Sequence, residues 1–285
     1  MAGRAEGPRD RYIELIRETL QFSLWPQPAR PVEDFEPLLP GRFKSLALKV
    51  LRLVSKAFET RGLLIAKDVT PDPEKLAQGN VWPWPNYGET MLGPRRMENL
   101  EFCVRTVLEE DVPGDLIETG VWRGGACIFM RAILAAYGVT DRKVFVADSF
   151  EGLPLPRPGT PEDGDSRFHD MVGLVVDIES VRANFEKYDL LDDQVVFLEG
   201  WFSDTLPEAP IERLSVLRLD GDMYDSTMDA LENLYPKVSP GGFVIIDDYC
   251  LDPCRAAVTE YRHRQGIEEE MTEIDLAGVF WRKPV

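Results

Sequence analysis

Two acidic segments are the residues best suited to chemistry. The tripeptide Asp-Gly-Asp at 220–222 follows the apolar run 214–219, and Asp247 and Asp248 follow the apolar run 242–246. Carboxylates this close together repel one another unless they are protonated or bound to a cation. Oxygen ligands suit a hard divalent ion such as magnesium, which can bind two substrate oxygens and lower the pKa of a hydroxyl group. The segments therefore predict a magnesium site, and the structural alternative is that these acids cap a helix or are solvated.

A glycine-bearing turn follows an earlier apolar run. Residues 115–118 end in Glu118, and Gly120–Gly125 leads from there into an apolar, helix-like segment. Glycine in such a turn lets the backbone approach a ligand closely. The spacing differs from the nicotinamide- and flavin-binding fingerprint, and the turn has no lysine for a nucleoside triphosphate. The turn predicts a ligand site without a phosphate subsite, or else an ordinary connection between a strand and a helix.

The next two strand-like runs end in residues that suit a nucleoside. Asp148 and Ser149 follow one run, and a carboxylate at this place commonly accepts hydrogen bonds from ribose hydroxyls. Trp201 and Phe202 follow the other run and could stack on a base. Each feature alone has an ordinary explanation, as a capping acid or as packed aromatic rings. Together, and without a phosphate site, they favour S-adenosylmethionine over a nicotinamide cofactor.

These residues all follow predicted strands of one sheet. From Asp111 onward, strand-like runs at 115–118, 143–148, 195–198, 214–220 and 242–246 alternate with helix-like segments, and 273–275 with 278–282 predict a terminal hairpin. Strands that are apolar throughout are typical of a parallel sheet covered by helices on both faces. The fold class predicted is α/β with a doubly wound sheet. Ligands of such sheets bind beyond the carboxyl ends of the strands.

Composition excludes several classes of protein. The 285 residues include 32 basic and 50 acidic side chains, for a formal charge of −18, and this charge disfavours a nucleic-acid partner. No signal peptide is apparent, and no segment has the roughly 18 consecutive apolar residues that a spanning helix needs. Cys250 and Cys254 have no second cysteine pair, so zinc is not expected. We expect a cytoplasmic protein without nucleic-acid or membrane partners.

Residues 1–85 differ in character from residues 86–285, and we interpret them as a helical extension of a catalytic domain. Within the extension, residues 43–57 predict an amphipathic helix with one apolar and one basic face. Such a helix can lie on a membrane surface. We favour packing on its own domain or across a dimer interface, and therefore expect a homo-oligomer of two or more chains.

A long acidic segment rich in proline and glycine, Pro154–Asp170, is the candidate lid. Loops of this length are uncommon in compact domains and often cover active sites. The alternative is a disordered surface loop. His169 in this segment could act as a base because imidazole titrates near neutrality, or it could be a surface histidine.

Six motifs in the expected order resemble the macrocin O-methyltransferase family, the sugar O-methyltransferases of macrolide and aminocoumarin antibiotic pathways. They are ETMLGPRRMENL at 89–100, IETGVWRGG at 117–125, ADSFEGLP at 147–154, LEGWFSDTLP at 198–207, LRLDGDMYDST at 217–227 and PGGFVIIDDY at 240–249. The resemblance covers about residue 84 to the carboxyl terminus. It implies a class I methyltransferase fold, which is Rossmann-like, with S-adenosylmethionine as donor and magnesium as activator.

The resemblance also implies roles for individual residues. The residues expected to contact the donor are Thr90 and Met91 (methionine part), Glu118 and Gly120 (amino-acid and sulfonium region), Asp148 and Ser149 (ribose), and Trp201 and Phe202 (adenine). The residues expected to bind the metal are Asp220, Asp247 and Asp248. Asp220 is in addition the expected general base, since it would lie beside a metal-bound hydroxyl.

Together the residues and the resemblance predict a magnesium-dependent O-methyltransferase that acts on a sugar hydroxyl of a glycosylated natural product. A catechol-type enzyme acting on a small phenolic diol would share the same site but needs a narrow aromatic pocket, and the long segment 154–170 favours the larger acceptor. A third interpretation is a non-catalytic nucleoside-binding protein with a decayed methyltransferase fold. That interpretation predicts loss of the motif acids, which are all retained.

Overall fold

The structure is a computed structural model that describes residues 7–31, 42–68, 70, 72–78, 87–164 and 166–285, with only the backbone of 42–48, 73, 77 and 172. The helices are α1 Pro8–Leu20, α2 Arg42–Glu59, α3 Pro73–Ala77, α4 Pro94–Glu109, α5 Gly125–Ala136, α6 Ile178–Lys187, α7 Phe202–Thr205, α8 Tyr224–Leu234 and α9 Asp252–Gln265. The strands are β1 Arg30–Pro31, β2 Ala66–Lys67, β3 Asp115–Thr119, β4 Val144–Asp148, β5 Val195–Glu199, β6 Leu214–Leu219, β7 Val238–Ile246, β8 Thr272–Glu273 and β9 Val279–Arg282.

The main sheet has seven strands in the order β5-β4-β3-β6-β7-β9-β8. Strands β3 to β7 pair in parallel, whereas β9 runs antiparallel to both β7 and β8. The predicted doubly wound α/β fold with a terminal antiparallel hairpin is confirmed, and it agrees with the fold that the resemblance implies. Because β3 connects forward to β4 on one side and pairs with β6 on the other, the sheet has its switch point at the carboxyl end of β3.

Helices cover both faces of this sheet, which explains why its strands are apolar throughout. Leu116 of β3 belongs to a core with buried residues of α1, α4 and α5. The next residue, Ile117, belongs to the opposite core, which includes buried residues of α8 and α9. Successive side chains of a strand point to opposite faces, so each strand supplies both cores. Because both faces of the strands are buried, the strand ends that carry the acids are held in fixed positions relative to one another.

Helix α1 packs into the core rather than standing apart from it. Ile13, Ile16 and Leu20 are buried in the same core as α5. The helix ends at Leu20, and Phe22, two residues beyond it, adopts a left-handed φ of 53°. The division into an extension at 1–85 and a domain at 86–285 stays a prediction, since its boundary and part of the proline-rich stretch before α2 lie outside the described residues.

Helix α2 spans the predicted amphipathic segment. Its described apolar side chains include Val50, Leu53 and Val54, and these are exposed by 55, 70 and 41%. An exposed apolar stripe is typical of a contact surface, and the predicted homo-oligomer stays a prediction. None of the helices in the described residues combines the length and apolar character needed to cross a membrane.

Candidate active site

One cavity of about 1130 Å³ lies at the carboxyl ends of the central strands. A drug-sized ligand site usually occupies roughly 300–1,000 Å³, so this cavity has room for a donor and an acceptor together. The predicted site residues that line it are Thr90, Met91, Glu118, Gly120, Asp148, Ser149, Trp201, Phe202, Asp220, Asp247 and Asp248. The fold therefore brings the whole predicted set to one place, while the role of each residue stays a prediction.

The turn after β3 is shaped by two glycines that tolerate no side chain. Gly120 has a φ of 83°, and a Cβ there would lie 1.7 Å from the backbone oxygen of Asp220. A Cβ on Gly125 would lie 2.3 Å from the backbone oxygen of Glu89, and the Gly125 amide donates to that same oxygen at 2.9 Å. The two close approaches join the turn to the acidic segment on one side and to the segment carrying Thr90 on the other.

Glu118 lies at the end of β3 and is 2% exposed. One of its oxygens is paired with Arg218, and the other accepts a hydrogen bond from the thiol of Cys127 at 3.0 Å. Burial raises the pKa of Glu118 to about 7, although Arg218 opposes the rise. The ion pair fixes the orientation of this carboxyl at the floor of the cavity.

Asp148 is the last residue of β4, Ser149 follows it, and both side chains make local hydrogen bonds. The two oxygens of Asp148 accept from the backbone amides of Val121 at 2.7 Å and Phe150 at 2.8 Å. A carboxylate has about four acceptor sites, so Asp148 retains capacity for ribose hydroxyls. The Ser149 hydroxyl donates to the Gly152 oxygen at 2.8 Å. Asp148 is thus held rigidly across the turn that contains Val121.

The acids after β6 and β7 form the cluster that suits a cation. Asp220, Asp222 and Asp248 each place one carboxylate oxygen within 4.8 Å of the others. Three carboxylate oxygens converging in this way are hard ligands of the kind that magnesium takes. Asp222 belongs to the acidic segment predicted to bind a cation but is not among the ligands that the resemblance implies, and it lines the cavity with the predicted residues. Its position between Asp220 and the start of α8 is the signal that could have included it.

Asp247 is engaged differently from the other acids. Its two oxygens are paired with Arg96 and Arg218, which are 6 and 1% exposed. Arg96 also donates to Asp275 at 3.1 Å, in the turn between β8 and β9. The prediction that Asp247 is a metal ligand stays a prediction, and it would require a lone pair that the guanidinium groups do not use.

The sequence carried a signal for this network that we did not use. Arg218 stands inside the apolar run Leu214–Leu219, and a charged residue is almost never fully buried unless it is paired. Arg218 also donates to Asp220 at 2.9 Å, so one guanidinium contacts carboxylates from three strand ends. An arginine in a central strand therefore indicates acids at the neighbouring strand ends.

Electrostatics separate the acids into two groups. Burial raises the pKa of Asp222 to about 8, and Asp220 and Asp247 add to the rise. Burial also raises the pKa of Asp248 well above its usual range, and Asp222 and Asp220 add to it. Burial alone would raise the pKa of Asp247, but Arg218 and Arg96 hold it below its usual value. The arginines therefore neutralise Asp247, while the remaining acids repel one another.

The candidate lid covers the cavity on one side. Leu155, Phe168 and His169 line the cavity from this segment, and Met171 lines it directly after the segment. The indole Nε1 of Trp122, in the turn after β3, donates to the Gly173 oxygen at 2.9 Å. His169 Nε2 lies 3.5 Å from a carboxylate oxygen of Asp170. Described residues of the segment thus form part of the cavity wall, and Gly173, just beyond the segment, contacts the turn after β3.

Comparison with known proteins identifies relatives along the whole catalytic region. A family model described as Macrocin-O-methyltransferase (TylF) matches residues 9–283. The 8-demethyl-8-(2,3-dimethoxy-alpha-L-rhamnosyl)-tetracenomycin-C 4'-O-methyltransferase of Streptomyces olivaceus is 58% identical over 217 residues, which is 75% of this chain and 82% of that protein. The mycinamicin III 3''-O-methyltransferase of Micromonospora griseorubida is 55% identical over 204 residues, which is 70% of this chain and 80% of that protein.

A solved structure resembles the whole molecule. The O-methyltransferase NovP superposes with a TM-score of 0.80 at 43% sequence identity, covering 97% of this chain and 100% of that chain. Similarity at this level extends beyond the central sheet to the segments that surround the cavity.

Proposed function

The chain belongs to the macrocin O-methyltransferase family, and from this premise we propose that it methylates a sugar hydroxyl of a glycosylated natural product with the help of magnesium. That it is an S-adenosylmethionine-dependent O-methyltransferase follows from the family and the fold. The observation that carries the finer proposal is the acid cluster in a cavity of about 1130 Å³ beside the donor-side turn.

The names of the two relatives support a sugar acceptor. One is a 4'-O-methyltransferase of a rhamnosyl tetracenomycin, and the other a 3''-O-methyltransferase of mycinamicin III. The two names differ in the position methylated and in the compound. We therefore propose the class of acceptor, a glycoside hydroxyl, without assigning the position.

Residues around the turn after β3 are proposed to hold the donor. Asp148, at the end of β4, would accept hydrogen bonds from the ribose, and its own backbone contacts hold it in place for this. Glu118 would meet the amino-acid part and is fixed by Arg218. Trp201 and Phe202 would flank the adenine. The donor supplies an electrophilic methyl group, and the enzyme supplies its orientation.

Asp220, Asp222 and Asp248 are proposed to hold the cation, because their oxygens converge and their mutual repulsion favours a positive charge. Bound there, a divalent ion supplies Lewis acidity that lowers the pKa of a nearby hydroxyl. Arg96 and Arg218 form ion pairs with four buried or partly buried carboxylates, those of Glu118, Asp220, Asp247 and Asp275. Asp222 and Asp248 add two further carboxylates to the same cavity. The excess negative charge suits a cation and a sulfonium-bearing donor alike.

Asp220 is the proposed proton acceptor. Its backbone oxygen closely approaches Gly120 in the donor-side turn, and its carboxylate belongs to the acid cluster. Asp220 therefore lies between the donor side and the acid side of the cavity. A hydroxyl held there would lose its proton to the carboxylate as its oxygen attacks the methyl carbon of S-adenosylmethionine. The carbon–sulfur bond would break in the same step, and S-adenosylhomocysteine would leave. Holding both reactants in this alignment supplies part of the rate.

The test is methyl transfer from labelled S-adenosylmethionine to three acceptors: mycinamicin III, the tetracenomycin glycoside named by the first relative, and catechol. We expect label in at least one glycoside, loss of transfer after treatment with EDTA, and recovery on adding Mg²⁺. Faster labelling of catechol than of either glycoside would instead support the small phenolic acceptor. Transfer that is unchanged by EDTA would remove the cation from the mechanism.

The same assay separates the two predicted bases. Asp220→Asn should lower turnover by roughly 10²–10⁴, the range of a general base. His169→Gln is the matched comparison because His169 lines the cavity from the lid side. Equal losses in the two variants would count against Asp220 as the sole proton acceptor.

A further inference from the structure

The lid segment is bound along helix α8, which begins directly beyond the acid cluster. Arg157 donates to Asp229 at 3.1 Å, one turn into the helix. The Thr160 hydroxyl donates to a carboxylate oxygen of Asp225 at 3.0 Å. Arg157 also lines the cavity. The first half of the lid therefore rests on α8 and forms cavity wall at the same time.

Asp163, three residues after Thr160, caps this helix from a distant part of the chain. Its Oδ1 accepts from the backbone amide of Tyr224 at 2.8 Å, and its Oδ2 accepts from the amide of Asp225 at 3.0 Å. Met223 precedes the helix and makes no side-chain cap. Asp163 is 0% exposed. The first amides of a helix have no partners within it, and here the lid supplies them.

The start of α8 also carries one of the clustered acids. Asp222 immediately precedes Met223 and has a left-handed φ of 56°. The Met223 amide donates to the Gly221 oxygen, and the Asp222 amide lies 3.4 Å from a carboxylate oxygen of Asp248. A tight turn followed at once by a helix leaves Asp222 little freedom once the first helical turn is fixed.

We propose that Asp163 is a positioning residue that couples the lid to the acid cluster, so that seating of the lid on α8 holds Asp222 in place. It contacts neither donor nor acceptor and acts through the first turn of α8. Of the measurements below, only the Mg²⁺ titration rests on the proposed cation-binding role of the cluster. Amide hydrogen exchange tests the contact of Asp163 with α8 without any ligand.

The conservative variant distinguishes a cap from a charge. In Asp163→Asn the amide oxygen can still accept from one of the two backbone amides, but the NH2 group donates and cannot accept from the other, whereas Asp163→Ala removes both acceptors. Burial raises the pKa of Asp163, and the Asp225 carboxylate adds to the rise, so the neutral amide costs little electrostatically. Glu162, the exposed neighbouring acid, provides the matched control as Glu162→Ala.

The experiment compares these three variants with the unaltered full chain. Amide hydrogen exchange at Tyr224 and Asp225 should speed up roughly tenfold in Asp163→Ala, as expected from loss of a helix cap. It should speed up at only one of the two amides in Asp163→Asn, and it should stay near the unaltered rate in Glu162→Ala. Calorimetric titration with Mg²⁺ should show severalfold weaker binding only in Asp163→Ala. Titration with S-adenosylhomocysteine should give the same affinity in all four proteins.

Several outcomes would overturn the inference. These are unchanged exchange in Asp163→Ala, Asp163→Asn behaving like Asp163→Ala, or equal weakening in Glu162→Ala. Absence of Mg²⁺ binding in the unaltered chain would contradict the proposed cation site, while the exchange rates would still decide the role of Asp163. Should Asp163→Ala not fold, Asp163→Ser, whose hydroxyl can cap one amide, should give intermediate exchange, and exchange at the unaltered rate would count against the proposal.

Discussion

The residue whose size matters most at the site is Gly120. It combines a left-handed backbone with a 1.7 Å approach between a hypothetical Cβ and the Asp220 oxygen. The close approach brings the donor-side turn and the acidic segment together at neighbouring strand ends. Any side chain would have to separate the two halves of the cavity.

Gly120→Ala should therefore destabilise the protein and weaken donor binding. Left-handed strain and overpacking together cost about 3 kcal/mol. Gly138→Ala is the matched control, because Gly138 has a φ of 69° with nothing within 4 Å of its hypothetical Cβ, and strain alone costs about 1 kcal/mol. Urea unfolding and titration with S-adenosylhomocysteine measure both effects. Equal costs in the two variants would show that the close approach is unimportant.

At the scale of single residues, the sequence predicted which acidic and aromatic side chains line one cavity. It did not predict which ion pairs the acids form. Asp220 and Asp248 could be placed because parallel strands end at one edge of a sheet. Arg96 could not, because it lies 151 residues from Asp247, its partner, and only tertiary packing brings the α4 terminus there. Asp247 is paired with two arginines, whereas Asp222 lies in the acid cluster. This difference is therefore set by tertiary packing.

Among the elements, the strands were predicted within one or two residues at most ends, since two-sided burial leaves a clear apolar pattern. An exception is β7, which begins at Val238, four residues before the predicted start. The lid segment 154–170 was recognised by length and composition alone. Its contact with α8, from Arg157 to Asp229, joins residues 72 positions apart, and the contact of Gly173, just beyond the segment, with Trp122 joins residues 51 positions apart. No local pattern encodes either contact.

The second attachment of the lid gives a prediction at the scale of elements. Trp122→Phe keeps an aromatic ring but removes the indole N–H that donates to Gly173. A net hydrogen bond contributes about 1 kcal/mol, so amide exchange across 168–174 should speed up roughly fivefold. Trp25→Phe, at a side chain 51% exposed beyond α1, is the control. Unchanged exchange across 168–174 would mean that this contact does not hold the lid.

At the scale of the whole molecule, we propose that one cavity binds the donor, binds the acceptor and concentrates negative charge. The chain carries a formal charge of −18. We propose that the negative charge used in function is that of the buried acid cluster rather than that of the surface. Arg96 and Arg218 compensate the charge of some of the buried acids. The remaining negative charge favours binding of a cation. The proposed magnesium dependence and the proposed role of Asp163 both depend on that remainder.

The most direct test is calorimetric titration of Mg²⁺ into the full chain bound to S-adenosylhomocysteine. We expect one Mg²⁺ to bind per chain. We also expect Mg²⁺ to bind at least roughly tenfold more weakly to Asp248→Ala, because a carboxylate ligand to a hard cation is lost. Glu151→Ala, at an exposed acid that also lines the cavity, should bind like the unaltered chain. No binding to the unaltered chain, or equal affinity in Asp248→Ala, would contradict the central claim.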